Sequence, residues 1–184
     1  WVVLEPGRNR ALSEQAVADT GLGSVEDKIL KNRRKTLGLL RDLKRVRTVG
    51  VVGEYPERGV TEIARPVGVV GAITPSTNPV ATPTNKVLNA VKGCNAIVLA
   101  PSPKGEGTAT RLVTYFQAAL GGVGAPRELV QKLPAPLSRE ATLELMTQVD
   151  LVVATGSQRN IRSAYSSGTP SVGVGKGNVA VIVD

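Results

Sequence analysis

The stretch "TPSTNP", residues 74–79, places two threonines, a serine and an asparagine directly after an apolar run, Gly68–Ile73. A run of that kind, then a polar elbow, then a helix candidate is how α/β proteins build a site at the carboxyl edge of a sheet. Two further stretches have the same form: "APSPKG", 100–105, after the run Asn95–Leu99, and "ATGSQRN", 154–160, after the run 149–154. In the last, Thr155-Gly156-Ser157 can leave backbone N–H groups free at a helix start. Such a turn favours an anion, and the pyrophosphate of a dinucleotide is the obvious one. Any one elbow alone is better explained as helix capping, since Ser, Thr and Asn are ordinary caps. Three at consecutive strand ends would line a single crevice. Cys94, the only thiol, is read as structural: it falls at a helix carboxyl end, where the dipole opposes a thiolate, at a buried junction with a strand. With no His and one Cys, neither a Ser-His-Asp triad nor a zinc site can be assembled.

The elements that must position these elbows are legible in the pattern. Residues 1–47 read as helical. Ser24 can cap a helix with Glu26 and Asp27 in its first turn, and Ile29, Leu30, Leu37, Leu40 and Leu43 recur at helical spacing. Residues 48–66 read as a β-hairpin turning at Pro56-Glu57-Arg58-Gly59. From residue 67 onward, apolar runs at 68–73, 95–100, 128–133, 149–154 and 178–183 read as buried strands. Helices are expected over Pro83–Lys92, Thr108–Leu120, Ser138–Gln148 and Asn160–Ser166. Strands alternating with helices imply right-handed βαβ crossovers and a Rossmann-like, doubly wound parallel sheet in an α/β domain. The segment "GVGKGN", 173–178, fits neither the P-loop nor the G-x-G-x-x-G template. Its glycines, Gly173 and Gly175 among them, are expected to permit close backbone approach to a ligand or a tight crossing.

Composition narrows the class. The chain has 184 residues, 41% of them hydrophobic but only 3% aromatic, so its core must be aliphatic, as parallel sheets covered by helices usually are. No apolar stretch reaches the roughly 18 residues of a membrane span, no secretory leader is visible, and a single Cys suits a reducing cytoplasm. Net charge is +8. Nine basic residues fall between Lys28 and Arg47 against one acid, Asp42. This cluster could mark a nucleic-acid surface. It lacks interleaved aromatics and any nucleic-acid motif, which favours the solvated face of an amphipathic helix.

Taken in order, "ARPVGVVGAITPSTNPVATPTNK", "GCNAIVLAPSPKG" and "VDLVVATGSQRNIRSAYSSGTPSVGVGKGNVAVIVD" resemble the coenzyme A-acylating branch of the aldehyde dehydrogenase superfamily. The likeness covers nearly the whole chain. Within that branch the wording "NAIVLAPSPKG" is most similar to sulfoacetaldehyde dehydrogenases, with acetaldehyde and other short-chain acylating enzymes close behind. The resemblance implies a reaction of an aldehyde, CoA and NAD or NADP to give acyl-CoA and reduced coenzyme, in a cytoplasmic homo-oligomer. It implies that Asn78 donates its side-chain amide to the oxyanion of the reacting aldehyde, a neutral donor that no titration removes. It places Thr74, Pro75, Ser76 and Thr77 near the nicotinamide ribose, Pro101, Ser102 and Lys104 at the adenosine ribose, and Thr155, Gly156 and Ser157 at the pyrophosphate. Gly173 and Gly175 also fall to the coenzyme site, and no metal is implied.

Two departures from the wider superfamily are informative. Hydrolytic members carry a Glu in the segment matching Val172-Gly173-Val174-Gly175-Lys176, and that Glu activates the water that cleaves the thioester. Its absence here fits transfer of the acyl group to a thiol. The adenosine-ribose stretch has no acid for a 2′-hydroxyl, so NADP is as plausible as NAD. The family's nucleophilic Cys follows the Gly-rich segment, and nothing here matches it. The expected organisation is therefore a truncated aldehyde dehydrogenase fold. It comprises a helical layer (1–47), the hairpin of the bridging region (48–66) and an NAD(P)-binding Rossmann-like domain (67–184), inactive alone for want of a catalytic domain. The rival is a non-catalytic protein that engages nucleic acid through the Lys28–Arg47 helix.

Overall fold

In the computed structural model, residues 2–175 and 177 are described. Helix α1 (Pro6–Thr20) starts at a proline, with the Glu5 carboxylate accepting from the N–H groups of Gly7 at 2.9 Å and Arg8 at 2.7 Å. Those two bonds satisfy orphan donors of the first turn. Helix α2 (Val25–Leu43) starts at Ser24, whose hydroxyl accepts from Asp27 N–H at 3.1 Å. The two pack through a polar seam. Asn32 donates to Asn9 Oδ1 at 3.0 Å and to Ser13 Oγ at 3.3 Å, while Asn9 Nδ2 donates to the Ile29 carbonyl at 3.0 Å. The buried positions of α2 are accordingly Lys28, Asn32 and Thr36. The apolar repeat that marks this helix in the sequence faces outward instead, with Leu30, Leu37 and Leu40 each 39–45% exposed.

Strands β1 (Gly50–Tyr55) and β2 (Val60–Ala64) form the antiparallel hairpin. A short 3₁₀ turn, Pro56–Arg58, connects them and is closed by Gly59 at φ +63°, a conformation an L side chain rarely adopts. The remaining five strands are all parallel: β3 (Val69–Ile73), β4 (Ala96–Ala100), β5 (Val130–Lys132), β6 (Leu151–Thr155) and β7 (Ser171–Val174), ordered β5-β4-β3-β6-β7. Between them run α3 (Ala81–Lys92), α4 (Glu106–Gly122), α5 (Arg139–Gln148) and α6 (Gln158–Tyr165). Successive strand residues face opposite sides. Val70 and Ala72 join Val87, Ile97, Leu99, Leu112 and Phe116 in one core, with Leu12 of α1. Ile73 joins Leu145, Met146, Val152 and Ile161 in the other. The sheet is therefore covered on both faces, which is why its strands read as continuous aliphatic runs. Asp19 ties α1 to this body, its carboxylate accepting from both the N–H and the hydroxyl of Thr108 at 2.7 Å.

The expected helices are all present. Of the expected strands, the run 178–183 lies outside the described residues. The strand next to β6 is β7, which sequence pattern does not signal: it is four residues long, and its Val172 and Val174 side chains are exposed.

Candidate functional site

The sheet order places β3 at the centre, with the chain winding outward through β4 and β5 on one side and β6 and β7 on the other. Ligands of open α/β sheets bind outside the carboxyl ends of the strands at this switch point. A cleft of about 710 Å³ lies there, lined by the elbows after β3, β4, β6 and β7 and by the first turns of α5 and α6. The first two elbows are locked together by an extension of the ladder. Thr74, which is buried, donates its N–H to the Ala100 carbonyl at 3.1 Å, and its own carbonyl accepts from Ser102 N–H at 3.2 Å. The third elbow is tied to β7, because Gly156 N–H donates to the Val174 carbonyl at 3.3 Å. This N–H is thus engaged rather than free, and Ser157 caps α6 by accepting from Asn160 N–H at 3.3 Å.

Asn78 lines the cleft, half-buried, and its amide orientation is determined by an unexpected neighbour. Lys31 of α2 donates to Asn78 Oδ1 at 2.9 Å. An ammonium carries donors only, so the carboxamide must turn its oxygen toward Lys31 and its NH₂ away. Among the described residues no acceptor takes the Nδ2 hydrogens. Beneath the first elbow, Lys86 of α3 donates to the Ile73 carbonyl at 2.8 Å and to the Val153 carbonyl. It thereby pins the carboxyl ends of β3 and β6. Burial pushes its pKa down from 10.5 to about 7, against the pull of two carbonyl acceptors that favour the ammonium.

Thr74, Pro75, Ser76, Thr77, Asn78, Pro101, Ser102, Thr155, Gly156, Ser157 and Gly175 all line this one cleft. Lys104 does not: it sits exposed on a 3₁₀ turn, Pro103–Gly105. Gly173 lies inside β7 under α6, where a Cβ would stand 2.9 Å from Ile161 Cγ2, so α6 packs directly on backbone. At Gly175 a Cβ would come equally near Gln158. Cys94 corrects an expectation. It is exposed at φ +57°, in the turn after α3 that precedes β4. The turn is kept at the surface by its backbone bond to the Val91 carbonyl and by Asn95, which accepts from the Val67 and Gly68 N–H groups. It remains at the amino edge of the sheet, opposite the cleft.

Arg139 and Arg159 are the charged residues sequence reading missed. Arg139 opens α5 directly behind its serine cap, Ser138, and Arg159 is the second residue of α6 behind Ser157; both line the cleft, and none of its described lining residues is a carboxylate. Neither forms an ion pair among the described residues. A serine cap with a basic residue in the first helical turn behind it was the available signal. The cleft thus offers hydroxyls, the carboxamides of Asn78 and Asn160 and two guanidiniums. This is a donor set suited to a phosphate-bearing nucleotide.

Comparison with known proteins points the same way. The model of the aldehyde dehydrogenase family matches residues 24–176. The chain is 63% identical, over all its 184 residues, to the sulfoacetaldehyde dehydrogenase (acylating) of Cupriavidus necator, of which it covers 37%. Among solved structures it is similar to an acetylating aldehyde dehydrogenase from Geobacillus thermoglucosidasius. That match has a TM-score of 0.90 and 41% identity, covering 96% of this chain and 39% of that one. An engineered glycolyl-CoA reductase with bound NADP+ matches at a TM-score of 0.82 and 31% identity, covering 96% and 40%. The chain thus spans about two fifths of the length of these relatives.

Proposed function

The chain belongs to the aldehyde dehydrogenase family, and from that premise we propose that it is the coenzyme-binding part of an acylating enzyme. The reaction proposed is that of an aldehyde, CoA and NAD(P)+ to acyl-CoA and NAD(P)H, with sulfoacetaldehyde or another short aldehyde as substrate. The observation that carries the reading is the meeting of three polar elbows in one cleft at the switch point of the sheet. The nicotinamide coenzyme would supply hydride acceptance. The chain's own residues bind and orient it: Thr155, Gly156 and Ser157 with Arg159 at the pyrophosphate, Pro101 and Ser102 at the adenosine ribose, and Thr74–Thr77 toward the nicotinamide ribose. Asn78 presents its NH₂ to the substrate oxygen as negative charge develops there. The described part of the 172–176 segment carries no carboxylate, which supports delivery of the acyl group to a thiol and not to water.

A nucleic-acid reading competes through one observation only, the exposed basic face of α2 that carries Arg33, Arg34 and Lys35. The two make opposite predictions for this chain. Saturable NAD(P)+ binding, weakened at least about tenfold by Gly156→Leu and Ser157→Ala together, is expected by titration calorimetry. Retention on DNA that falls with salt and disappears on neutralising Arg33, Arg34 and Lys35, without coenzyme binding, would replace the enzyme reading.

A further inference from the structure

Rossmann crevices sort coenzymes at the elbow that receives the adenosine ribose: an acid there holds a 2′-hydroxyl, whereas a cation nearby accommodates a phosphate. Here that elbow, Pro101-Ser102-Pro103, carries no acid, and the nearest basic residue in sequence, Lys104, lies outside the cleft. Topology brings another cation to the same cleft. Strand β5 pairs with β4 as far as Leu99↔Lys132, and Leu133 N–H then donates to the Leu99 carbonyl at 2.9 Å. The chain leaving β5 therefore passes beside the β4 elbow and enters the cleft at Leu137, Ser138 and Arg139. Arg159, by contrast, follows β6 on the other side of β3. Glu140, the acid next to Arg139, has its carboxyl held below the usual range by neighbouring hydrogen-bond donors and by the Arg139 charge, and it does not line the cleft.

Resting on the coenzyme reading above, we propose that Arg139, with Ser102, forms a subsite for a phosphomonoester on the ribose of an adenine nucleotide. Its planar fork suits a terminal phosphate, which offers the paired oxygens a ribose hydroxyl lacks. Two sources share this chemistry, the 2′-phosphate of NADP+ and the 3′-phosphate of CoA.

The experiment is a calorimetric titration of the chain with 5′-AMP, 2′,5′-ADP, 3′,5′-ADP, NAD+ and NADP+, repeated with Arg139→Ala, Arg139→Lys, Arg159→Ala and Lys104→Ala. The expected result is that one bisphosphate binds about ten- to a hundredfold tighter than 5′-AMP, the scale of a charge-assisted bond. Arg139→Ala abolishes this preference, Arg139→Lys restores part of it, and Arg159→Ala weakens NAD+ and NADP+ alike without altering their ratio. Preference for 2′,5′-ADP identifies NADP+ as the source; preference for 3′,5′-ADP identifies CoA. A preference untouched by Arg139→Ala, or one removed by Lys104→Ala instead, overturns the assignment while leaving the coenzyme reading intact. Absence of binding by every nucleotide overturns both.

Discussion

At the residue scale the proposed chemistry turns on one carboxamide and the ammonium behind it. The place of Asn78 in the cleft is legible in the sequence, because a polar elbow after an aliphatic run is a recognisable arrangement. Lys31 was not. It is 47 residues away in sequence and belongs to a run of basic residues that reads as a solvated helix face. Only the docking of α2 brings its Nζ to Asn78. The consequence is a pair of expectations for an enzyme that carries this chain. Asn78→Ala should lower kcat by about 10²–10³-fold with little change in coenzyme affinity, the usual cost of one lost oxyanion donor. Lys31→Met, which frees the amide to rotate, should lower kcat in the same sense by a smaller factor, and Lys31→Arg should recover much of it. Steady-state kinetics of the three variants checks this. Normal turnover with poor NAD(P)+ binding in Asn78→Ala would make it a coenzyme or capping residue.

At the element scale, strands and helices follow from simple periodicity wherever one rule governs a segment. The strands β3, β4 and β6 are buried on both faces and read as aliphatic runs, and the serine caps of α2, α5 and α6 are used as caps. The failures have physical causes. In α2 the apolar stripe is not the packed face, because Asn9, Ser13 and Asn32 satisfy one another in the α1–α2 seam. No hydropathy rule anticipates a hydrogen-bonded polar interface. Strand β7 is an edge of the described sheet, too short and too exposed to leave a pattern. Lys86 yields a test at this scale. Its folded pKa lies near 7 and its unfolded value near 10.5. Between those values the unfolded chain holds the proton that the folded chain has released, so stability should rise with pH. The gain is complete above about 10.5 and lost as pH falls through 7. Urea unfolding of wild type and Lys86→Met across this window should show the wild type gaining on the variant by up to a few kcal/mol. A constant difference would mean that the two carbonyls hold Lys86 as an ammonium throughout.

At the scale of the whole molecule, a single topological fact organises the function: β3 sits between two half-sheets wound in opposite directions, so elbows distant in sequence converge on one edge. Cys94 lies at the other edge. The central claim is that this edge binds a nicotinamide coenzyme, and the most direct test is to see where the coenzyme lands. Backbone amide NMR spectra of the isotope-labelled chain, titrated with NAD+ and NADP+, should show saturable shifts concentrated at Thr74–Asn78, Ser102, Arg139 and Thr155–Arg159, with Lys28–Arg47 otherwise unmoved apart from Lys31. Shifts confined to the basic face of α2, or no saturable shift at any coenzyme concentration up to the millimolar range, would contradict the account.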